Sequence, residues 1–537
     1  DEMSSRGLGD VYKRQLVVSP DGERLLFALR APQPLDDEDP VPTWNLWEYD
    51  TITGQLYRII SDDNGAEEGD DVAPQYLPDG RIVFSSNRQT RTRAVLLDEG
   101  PGKPQYSGIT EIDDGPDGEQ TKAFNLHVVD PDTGDITQLT FNPSHDLQPT
   151  ILDNGRIAFL RWDTRNQNRI SFYSVRPDGT NIQRYYGYHS QNTGPADTPA
   201  TFWKAVSLGD GRLLTNMRDR ISQHWGGDIV AVDTEGFTDI NQANPQNPSA
   251  GNAQQSLAPN AVNITEGDDE IFSTGGFYNS AFHLNDGTGR LLVSWSPCQV
   301  ESLEDNKRYP CTRSFLSRPN IRPAAPAYGV WVLDNTGGTQ LPIKIAESGS
   351  DIVYTEAVAF TAPAPAANIA PSTSTDLAAQ GLALVHIRNI YDIDGTLAES
   401  VAPMPHLAER SAKPERFLRL VRAVPIPHPD EFEDDFDRNI AFGVNGGDFM
   451  REIIGYVPIE PDGSVKFVTA ADVAFSFSLV DASGKRLNGG FHSNWLSLKP
   501  GENFECVGCH DANSTLPHGR QDAEPSSGYL GLSLIHI

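Results

Sequence analysis

The sequence is poor in long apolar runs, in basic residues and in cysteine, and each shortage narrows what the chain can be. No apolar run reaches the roughly 18 residues that a membrane-spanning helix needs, so we expect no transmembrane segment. Only 42 Lys and Arg residues stand against 74 Asp and Glu residues, which gives a formal net charge of −32. This imbalance works against nucleic acid and anionic membranes as partners, and it is typical of a solvated acidic surface.

Motifs of the common nucleotide-dependent and hydrolytic enzymes are also missing. The chain has no G-x-S-x-G elbow, no Walker phosphate-binding loop and no dinucleotide-binding fingerprint. Its four cysteines include a single C-x-x-C pair, so no second pair exists to complete a four-thiolate zinc site. No catalytic residue can be assigned from the sequence.

Turn-forming residues, by contrast, are abundant. The 47 Gly and 39 Pro, with few helix-favouring runs, predict an all-β protein. One repeated element is a polar turn followed by an apolar strand, in which an Asp-Gly or Asn-Gly pair supplies the positive φ of a tight turn. Its copies are "SPDGERLLFAL" from Ser19, "LPDGRIVFSS" from Leu77, "LDNGRIAFLR" from Leu152, "LGDGRLLTNM" from Leu208 and the looser "LNDGTGRLLVSW" from Leu284.

A second repeated element, a hairpin, follows each copy of the first. Its copies are "LWEYDTITGQLYRI" (46–59), "LHVVDPDTGDITQL" (126–139), "FYSVRPDGTNIQRY" (172–185), "IVAVDTEGFTDI" (229–240) and "VWVLDNTGGTQL" (330–341). The two elements together make one four-stranded antiparallel sheet, and tandem sheets of this kind predict a β-propeller. The repeats resemble those of TolB-type and WD40-like propellers, and we predict a propeller over 16–360, with 351–360 as part of one further blade.

The repeat ends at a segment rich in Ala, Pro, Ser and Thr, which we interpret as a linker over 361–381. Alternating strands and turns then predict a small β-sandwich-like middle domain at 382–497, followed by a loop-rich segment at 498–531. Residues 1–15 and 532–537 lack the pattern of their neighbours, and we expect both to be non-native ends of a fragment whose export signal has been lost.

The loop-rich segment contains "FECVGCHD", residues 504–511. Two residues between Cys506 and Cys509, with His510 directly after, form the pattern of covalent c-type heme attachment. The two thiols add across the two vinyl groups of the porphyrin, and the adjacent His is placed to ligate the iron. Part of a zinc site and two structural thiols are the alternatives that the spacing leaves open. We predict heme c as the cofactor, with zinc as a further metal.

The sequence around this motif resembles the hydrazine synthase alpha-subunit family, through "YVPIEPDGSVKF", "FSFSLVDASGKRL", "HSNWLSLKPGENFECVGCHD" and "LPHGR". The resemblance implies an exported protein with a propeller, c-type heme and chemistry on small nitrogen compounds. It implies that Cys506 and Cys509 are the heme thioethers. In the family the His of the motif binds zinc and a Tyr four residues later ligates the iron; here Ser514 occupies that position. We therefore expect His510 to be the proximal iron ligand, or a zinc ligand if the chain follows the family.

Other side chains are candidates for the opposite axial position or for a second metal. They are His518, His224, His492 and Met450. Cys298 and Cys311 bracket a short loop, and a disulfide between them is expected in an oxidising compartment. The alternative for Cys298, taken from the family resemblance, is a zinc ligand beside the heme.

These observations predict an extracytoplasmic, periplasmic heme protein that acts in electron transfer or in redox chemistry on small compounds. Its expected partner is a redox protein or a small-molecule substrate, and assignment as an oxidoreductase stays open. The alternative is a propeller that binds a protein partner as a scaffold, with the heme as a sensor or with a zinc-clipped tail.

Overall fold

The computed structural model describes most of the chain outside several loops and the two ends. The described residues are 12–32, 42–88, 123–142, 145–163, 169–194, 199–219, 226–244, 249–265, 272–334, 338–346, 352–390, 392–393, 396–397, 416–424, 450–460, 463–492 and 495–509. Strands dominate them, and the three helices found there have four residues each. The predicted all-β class is confirmed.

Five four-stranded antiparallel sheets follow one another along the first part of the chain, and we call them blades 1 to 5. Blades 1 to 3 contain β1 (Tyr12–Val18), β2 (Arg24–Arg30), β3 (Asn45–Asp50), β4 (Leu56–Arg58), α1 (Asp63–Ala66), β5 (Asp71–Tyr76), β6 (Ile82–Ser86), β7 (Asn125–Val129), β8 (Ile136–Gln138), β9 (His145–Ile151), β10 (Ile157–Asp163), β11 (Arg169–Val175) and β12 (Gln183–Tyr186). Strand β1 begins at Tyr12, within the residues predicted to be a non-native end.

Blades 4 and 5 carry additional strands. Their elements are β13 (Ala200–Ser207), β14 (Arg212–Asp219), β15 (Asp228–Asp233), β16 (Phe237–Asp239), β17 (Gln242–Ala243), β18 (Gln254–Ser256), β19 (Phe277–His283), β20 (Leu291–Ser296), β21 (Gln299–Ser302), β22 (Arg308–Pro310), α2 (Arg313–Leu316), β23 (Ile321–Pro323), β24 (Gly329–Asp334) and β25 (Thr339–Lys344). Strands β21 to β23 form a separate small sheet inserted between β20 and β24.

The repeated sequence elements occupy equivalent positions in the blades. The polar turns join the first and second strands of each blade, and Gly22 and Gly155 in two of them adopt φ of 79° and 80°, as the turn chemistry predicts. Blade 4 departs from the predicted hairpin at 229–240. There β16 pairs with β17 in a sheet of its own, and β18 becomes the fourth strand because the chain returns along β15.

One apolar cluster passes through all five blades, and it includes Leu26, Phe84, Phe172, Phe202 and Tyr278, each at most 1% exposed. Because a four-stranded sheet alone would leave such side chains in water, their burial comes from packing neighbouring blades face to face. The predicted β-propeller is therefore confirmed.

The first strands of the five blades surround a small axial cavity of about 90 Å³, together with residues 356–358. All five of these strands have a register shift near the axis, and in four of them Gln15, Ala73, Gln148 and Lys204 have φ between 49° and 55°. Residues 352–360, predicted as part of a further blade, form no strand. Their place beside the axis is instead fixed by polar contacts.

Lys204 makes most of these axial contacts. Its Nζ lies 2.8 Å from Glu356 Oε1 and donates to Asn279 Oδ1 at 2.9 Å, while its backbone N donates to Gln148 Oε1 at 2.7 Å. Glu356 in turn accepts from the backbone N of Leu16 at 3.2 Å. The network joins blades 1, 3, 4 and 5 to the segment that follows blade 5.

The segment predicted to be a linker lies against blade 3. Ala367 N donates to Asp153 O at 3.0 Å, and Arg176 Nη2 donates to Ala370 O at 3.1 Å. Ser372 N donates to the Asp178 carboxylate at 3.4 Å. These hydrogen bonds hold the Ala- and Pro-rich residues on the turns of the blade, and helix α3 (Thr375–Ala378) follows.

The remaining strands form two packed sheets and one separate two-stranded sheet. They are β26 (Leu382–Ile387), β27 (Asp392–Ile393), β28 (Thr396–Leu397), β29 (Phe417–Val424), β30 (Met450–Pro458), β31 (Val465–Ala470), β32 (Phe475–Val480), β33 (Arg486–Phe491) and β34 (Asn503–Cys506). The sheet orders are β31-β26-β34 and β30-β29-β32-β33. Val385 and Phe467 of the first sheet share an apolar cluster with Leu418, Phe475 and Leu479 of the second. This arrangement confirms the predicted sandwich-like fold, which we call the middle domain.

No helix in the described ranges combines the length and hydrophobicity that crossing a membrane requires.

Candidate functional site

The two cysteines of the C-x-x-C motif are held by neighbouring strands of the middle domain. Strand β34 runs parallel to β26, with Cys506 paired with Ile387, and Arg388 N donates to Cys506 O at 2.9 Å. Cys509 N donates to Asp392 O at 2.7 Å. Both backbones are therefore fixed to the segment that begins with β26, and the motif is anchored at both cysteines.

The thiols lie at the edge of the apolar cluster of the middle domain. Cys506 and Cys509 are half-buried, and both contact this cluster, as do Leu496 and Phe504. Burial raises the pKa of Cys506 to about 12, with smaller contributions from Cys509 and Glu505. At neutral pH the Cys506 sulfur is consequently a protonated thiol, and neither cysteine is in a disulfide.

In the part of the chain that the structure describes, the arrangement of the two cysteines is compatible with covalent attachment of heme. Two reduced thiols separated by two residues stand beside each other, and apolar side chains provide a wall for a flat hydrophobic ring. Gly508 lies between them at a close approach, since a Cβ there would stand 2.7 Å from Asp392 O. Cys506 and Cys509 would hold the group, and they would place it at the edge of the middle domain.

A polar group that the sequence did not single out lies on the other face of β34. Glu505 Oε1 accepts from Arg388 Nε at 2.7 Å and lies 3.4 Å from His386 Nδ1. Burial lowers the pKa of His386, against the opposing effect of Glu505. Because side chains alternate along a strand, His386 and Glu505 face away from Cys506 and Ile387. His386 is thus not brought to the thiols.

Of the histidines predicted as ligands, only His492 lies within the described residues. His510, His518 and His224 lie outside the described residues, as does the side chain of Met450. His492 follows β33, with its ring centroid 5.0 Å from that of Phe477. Within the described ranges, no group of three or more His, Cys, Asp or Glu residues is arranged to hold a metal ion.

Cys298 and Cys311 are bonded to each other, with their Cα atoms 5.5 Å apart. The bond closes the start of the insertion in blade 5, which is the disulfide expected for this pair. Because a disulfide sulfur has no thiolate to offer a metal, zinc binding by Cys298 would require the reduced pair, and it stays a prediction. The structure does not bring Cys298 into a site with the C-x-x-C cysteines.

Two residues just before the motif, Lys499 and Glu502, contact the propeller. Lys499 Nζ donates to Gln138 O at 3.0 Å and lies 2.7 Å from Asp472 Oδ1. The Glu502 carboxylate accepts from Asn181 N at 2.6 Å and from Lys499 N at 2.9 Å. Sequence reasoning missed both residues, because their propeller partners lie more than 300 residues away; the run of Lys, Pro, Gly and Glu signalled only a turn.

Comparisons with known proteins agree with the middle-domain architecture. Residues 418–511 match the family model described as the hydrazine synthase alpha subunit middle domain. No curated protein matches the chain by sequence.

Two solved structures align with this chain. Hydrazine synthase from Kuenenia stuttgartiensis aligns over 95% of this chain with 14% identity and a TM-score of 0.54, which shows a shared fold. This chain spans 65% of the length of that chain. TolB from Acinetobacter baumannii aligns over 59% of this chain and 55% of its own, at 12% identity and a TM-score of 0.29. The predicted resemblance is therefore confirmed over residues 418–511, which match the middle domain of the hydrazine synthase alpha-subunit family.

Proposed function

We propose that this chain is an exported c-type heme protein that acts in redox chemistry, through electron transfer or through reaction of a small molecule. The observation that carries the proposal is the placement of Cys506 and Cys509 at the end of β34, as reduced thiols against an apolar cluster. Bound there, a heme supplies one-electron chemistry. A redox protein or a small-molecule substrate, such as a nitrogen compound, is the corresponding partner.

The described residues support specific roles around the heme. Cys506 and Cys509 would hold the heme through two thioether bonds, each formed when an S–H group adds across a porphyrin vinyl group. The bond from Cys509 N to Asp392 O fixes the second sulfur relative to the first. His510 follows directly in the chain, and we assign it as the proximal iron ligand, with zinc binding as its alternative role.

The disulfide between Cys298 and Cys311 supports export. Disulfides persist in oxidising compartments and are rare in the cytosol. The same chain keeps Cys506 and Cys509 out of disulfides. A periplasmic location, where heme c is attached, suits both observations.

A pyridine hemochrome spectrum tests the cofactor directly. The chain would be matured with a cytochrome c assembly system and compared with the Cys506→Ala/Cys509→Ala variant, with Cys298→Ser/Cys311→Ser as the matched control. We expect a c-type α band in the wild type and in the control, and none in the first variant. Absence of the band with one zinc per chain would overturn the heme proposal in favour of a scaffold with a zinc-clipped tail.

Axial ligation tests the role of His510. Replacing His510 with Ala should change the electronic spectrum of the attached heme, whereas the same change at His518 should leave the proximal ligand in place. An unchanged spectrum in His510→Ala would refute the ligand assignment while leaving covalent attachment intact.

A further inference from the structure

The segment that leads to Cys506 and Cys509 contacts the propeller through Lys499 and Glu502. We call the contacts of these two residues the clasp. The aliphatic chain of Lys499 runs so close to Gly179 in the β11–β12 turn of blade 3 that a Cβ on Gly179 would stand 2.8 Å from Lys499 Cδ. Its ammonium lies 5.0 Å from the centroid of the Phe141 ring and reaches Gln138 O of blade 2. Asp472 of the middle domain balances its charge. One side chain therefore bridges two blades and the middle domain.

Glu502 completes the clasp three residues later. It is 3% exposed, and both of its carboxylate oxygens accept backbone N–H groups, one from Asn181 of blade 3 and one from Lys499. Lys499 and Asp178 are the charged groups that act on this carboxylate, and Asp472 pairs with Lys499. Beyond Glu502, strand β34 leads directly to Cys506.

A contact that only stabilises the domain boundary would not need a lysine and a buried carboxylate such as Lys499 and Glu502. A charged side chain is seldom buried, and burying a carboxylate at a domain boundary costs free energy unless the group is paired and hydrogen-bonded. Here Glu502 is buried and the Lys499 side chain is 12% exposed, and they lie one and four residues before the strand that ends in Cys506.

We propose that Lys499 and Glu502 are positioning residues, which fix the thiol-bearing strand to blades 2 and 3 with a strength set by the protonation of Glu502. The identity of the bound group as heme rests on the proposed function, whereas the docking of β34 does not. Through these contacts, the propeller fixes the position of the strand that leads to the C-x-x-C turn.

The direction of the pH effect follows from burial. Desolvation raises the pKa of Glu502 from 4.5 to about 7, against the lowering effect of the two N–H donors and of Lys499. Undocked, the carboxyl returns to water and to its ordinary pKa. The docked state then binds the proton more tightly, so docking is strongest below pH 4.5 and weakens as pH rises through 7.

Hydrogen–deuterium exchange in the apo chain tests the clasp without heme. After correction for intrinsic rates, exchange of the β34 amides should rise about tenfold in Lys499→Met, with β13 of blade 4 unchanged. Lys485→Met, at an exposed lysine of the β32–β33 turn, is the matched control. Unchanged β34 exchange, or an equal rise in β13, would overturn the positioning role.

The same measurement across pH isolates Glu502. In the wild type, corrected β34 exchange should rise about tenfold or more between pH 5 and pH 8, and Glu502→Gln should abolish that rise. Asp376→Asn, at an exposed carboxylate of α3, should keep it. An equal pH dependence in Glu502→Gln and wild type would refute the proposal. If these results hold while the hemochrome band is absent, the clasp stands and the heme proposal alone fails.

Discussion

Cys506 pairs with Ile387 across the parallel strands β34 and β26, so the first cysteine of the motif is part of a sheet. Ile387 is 1% exposed and belongs to the core of the middle domain. A cysteine registered against a core residue cannot shift along its strand without moving the side chains around it. The backbone at Cys506 is therefore held in place by the sheet that carries it.

Gly508→Ala should impair the motif while leaving both cysteines present. The added Cβ would meet the backbone oxygen of Asp392 at 2.7 Å, and a backbone atom cannot rotate away. We expect the turn to shift, the bond from Cys509 N to Asp392 O to weaken, and stability to fall by about 1–3 kcal/mol.

The yield of covalent heme and the unfolding free energy check this expectation. Val507→Ala, which trims the neighbouring residue, serves as the control and should attach heme normally. A Gly508→Ala chain with wild-type heme content and stability would show that the close approach does not constrain the turn.

The disulfide between Cys298 and Cys311 should stabilise the insertion in blade 5 without touching the heme motif. The bond spans 13 residues, and closing a loop of that size contributes about 3 kcal/mol by restricting the unfolded chain. Cys298→Ser/Cys311→Ser should lower the stability of the insertion and leave the heme content unchanged.

Thermal unfolding in the presence and absence of reductant measures this effect. Reductant should lower the unfolding temperature of the wild type to that of the variant. Metal analysis provides the complementary result. Loss of a stoichiometric zinc in Cys298→Ser would contradict the disulfide and favour the zinc alternative.

The sequence predicts the parts of the fold that depend on local chemistry. Turns such as that containing Gly22, and the alternating strands after them, follow from neighbouring residues, and the structure confirms them. The fourth strand of blade 4 could not be predicted, since β18 competes with the nearer β16 for the edge of β15. Tertiary packing places β18 at this edge, although Phe and Thr in β16 favour a strand more than the Gln and Ser residues of β18 do.

The candidate site also contains residues that local sequence indicates and residues that only the complete fold brings together. Spacing singled out Cys506 and Cys509 as candidates, because the pattern predicted for heme attachment is local in sequence. Lys499 and Glu502 escaped notice because their partners Gln138 and Asn181 are brought close only by the complete fold. The linker prediction likewise could not anticipate that Ala367 would contact blade 3.

Two buried histidines of the propeller should make it sensitive to acid. His127 contacts Asn125 O, and His145 accepts from Phe124 N and stacks on Trp162 with ring centroids 5.0 Å apart. Burial lowers the pKa of each to about 3. The unfolded imidazoles take up protons near pH 6.5 while the folded ones do not, so stability falls as pH drops from 7 towards 3.

From pH 7 to pH 5 this loss amounts to about 2 kcal/mol for each histidine. Denaturant unfolding at both pH values would measure it, with His127→Gln/His145→Asn expected to lose less than the wild type. Over this pH range, protonation of Glu502 raises stability as the pH falls, which opposes the effect of the histidines. The comparison should therefore be made in a Glu502→Gln background. Equal losses with and without the histidines would show that other groups control acid sensitivity.

The ion pair between Lys204 and Glu356 should hold the segment after blade 5 at the propeller axis. Both side chains are about four-fifths buried, at 21% and 18% exposure, so solvent screens the pair only in part. Lys204→Met leaves the Glu356 carboxylate near Leu16 and the axis without its cation. We expect a loss of about 1–3 kcal/mol, below the 3–5 kcal/mol typical of fully buried pairs.

A double-mutant cycle with Glu356→Gln separates the pair from the individual side chains. The losses in Lys204→Met and Glu356→Gln should sum to more than the loss in the double variant, by about 1 kcal/mol, because each single change already breaks the contact. Arg212→Met is the matched control, since its salt bridge with Asp210 is exposed and should contribute at most about 1 kcal/mol. Strictly additive losses would mean that the axial segment is held by its backbone contacts, such as that from Tyr354 N to Tyr328 O, and not by the charges.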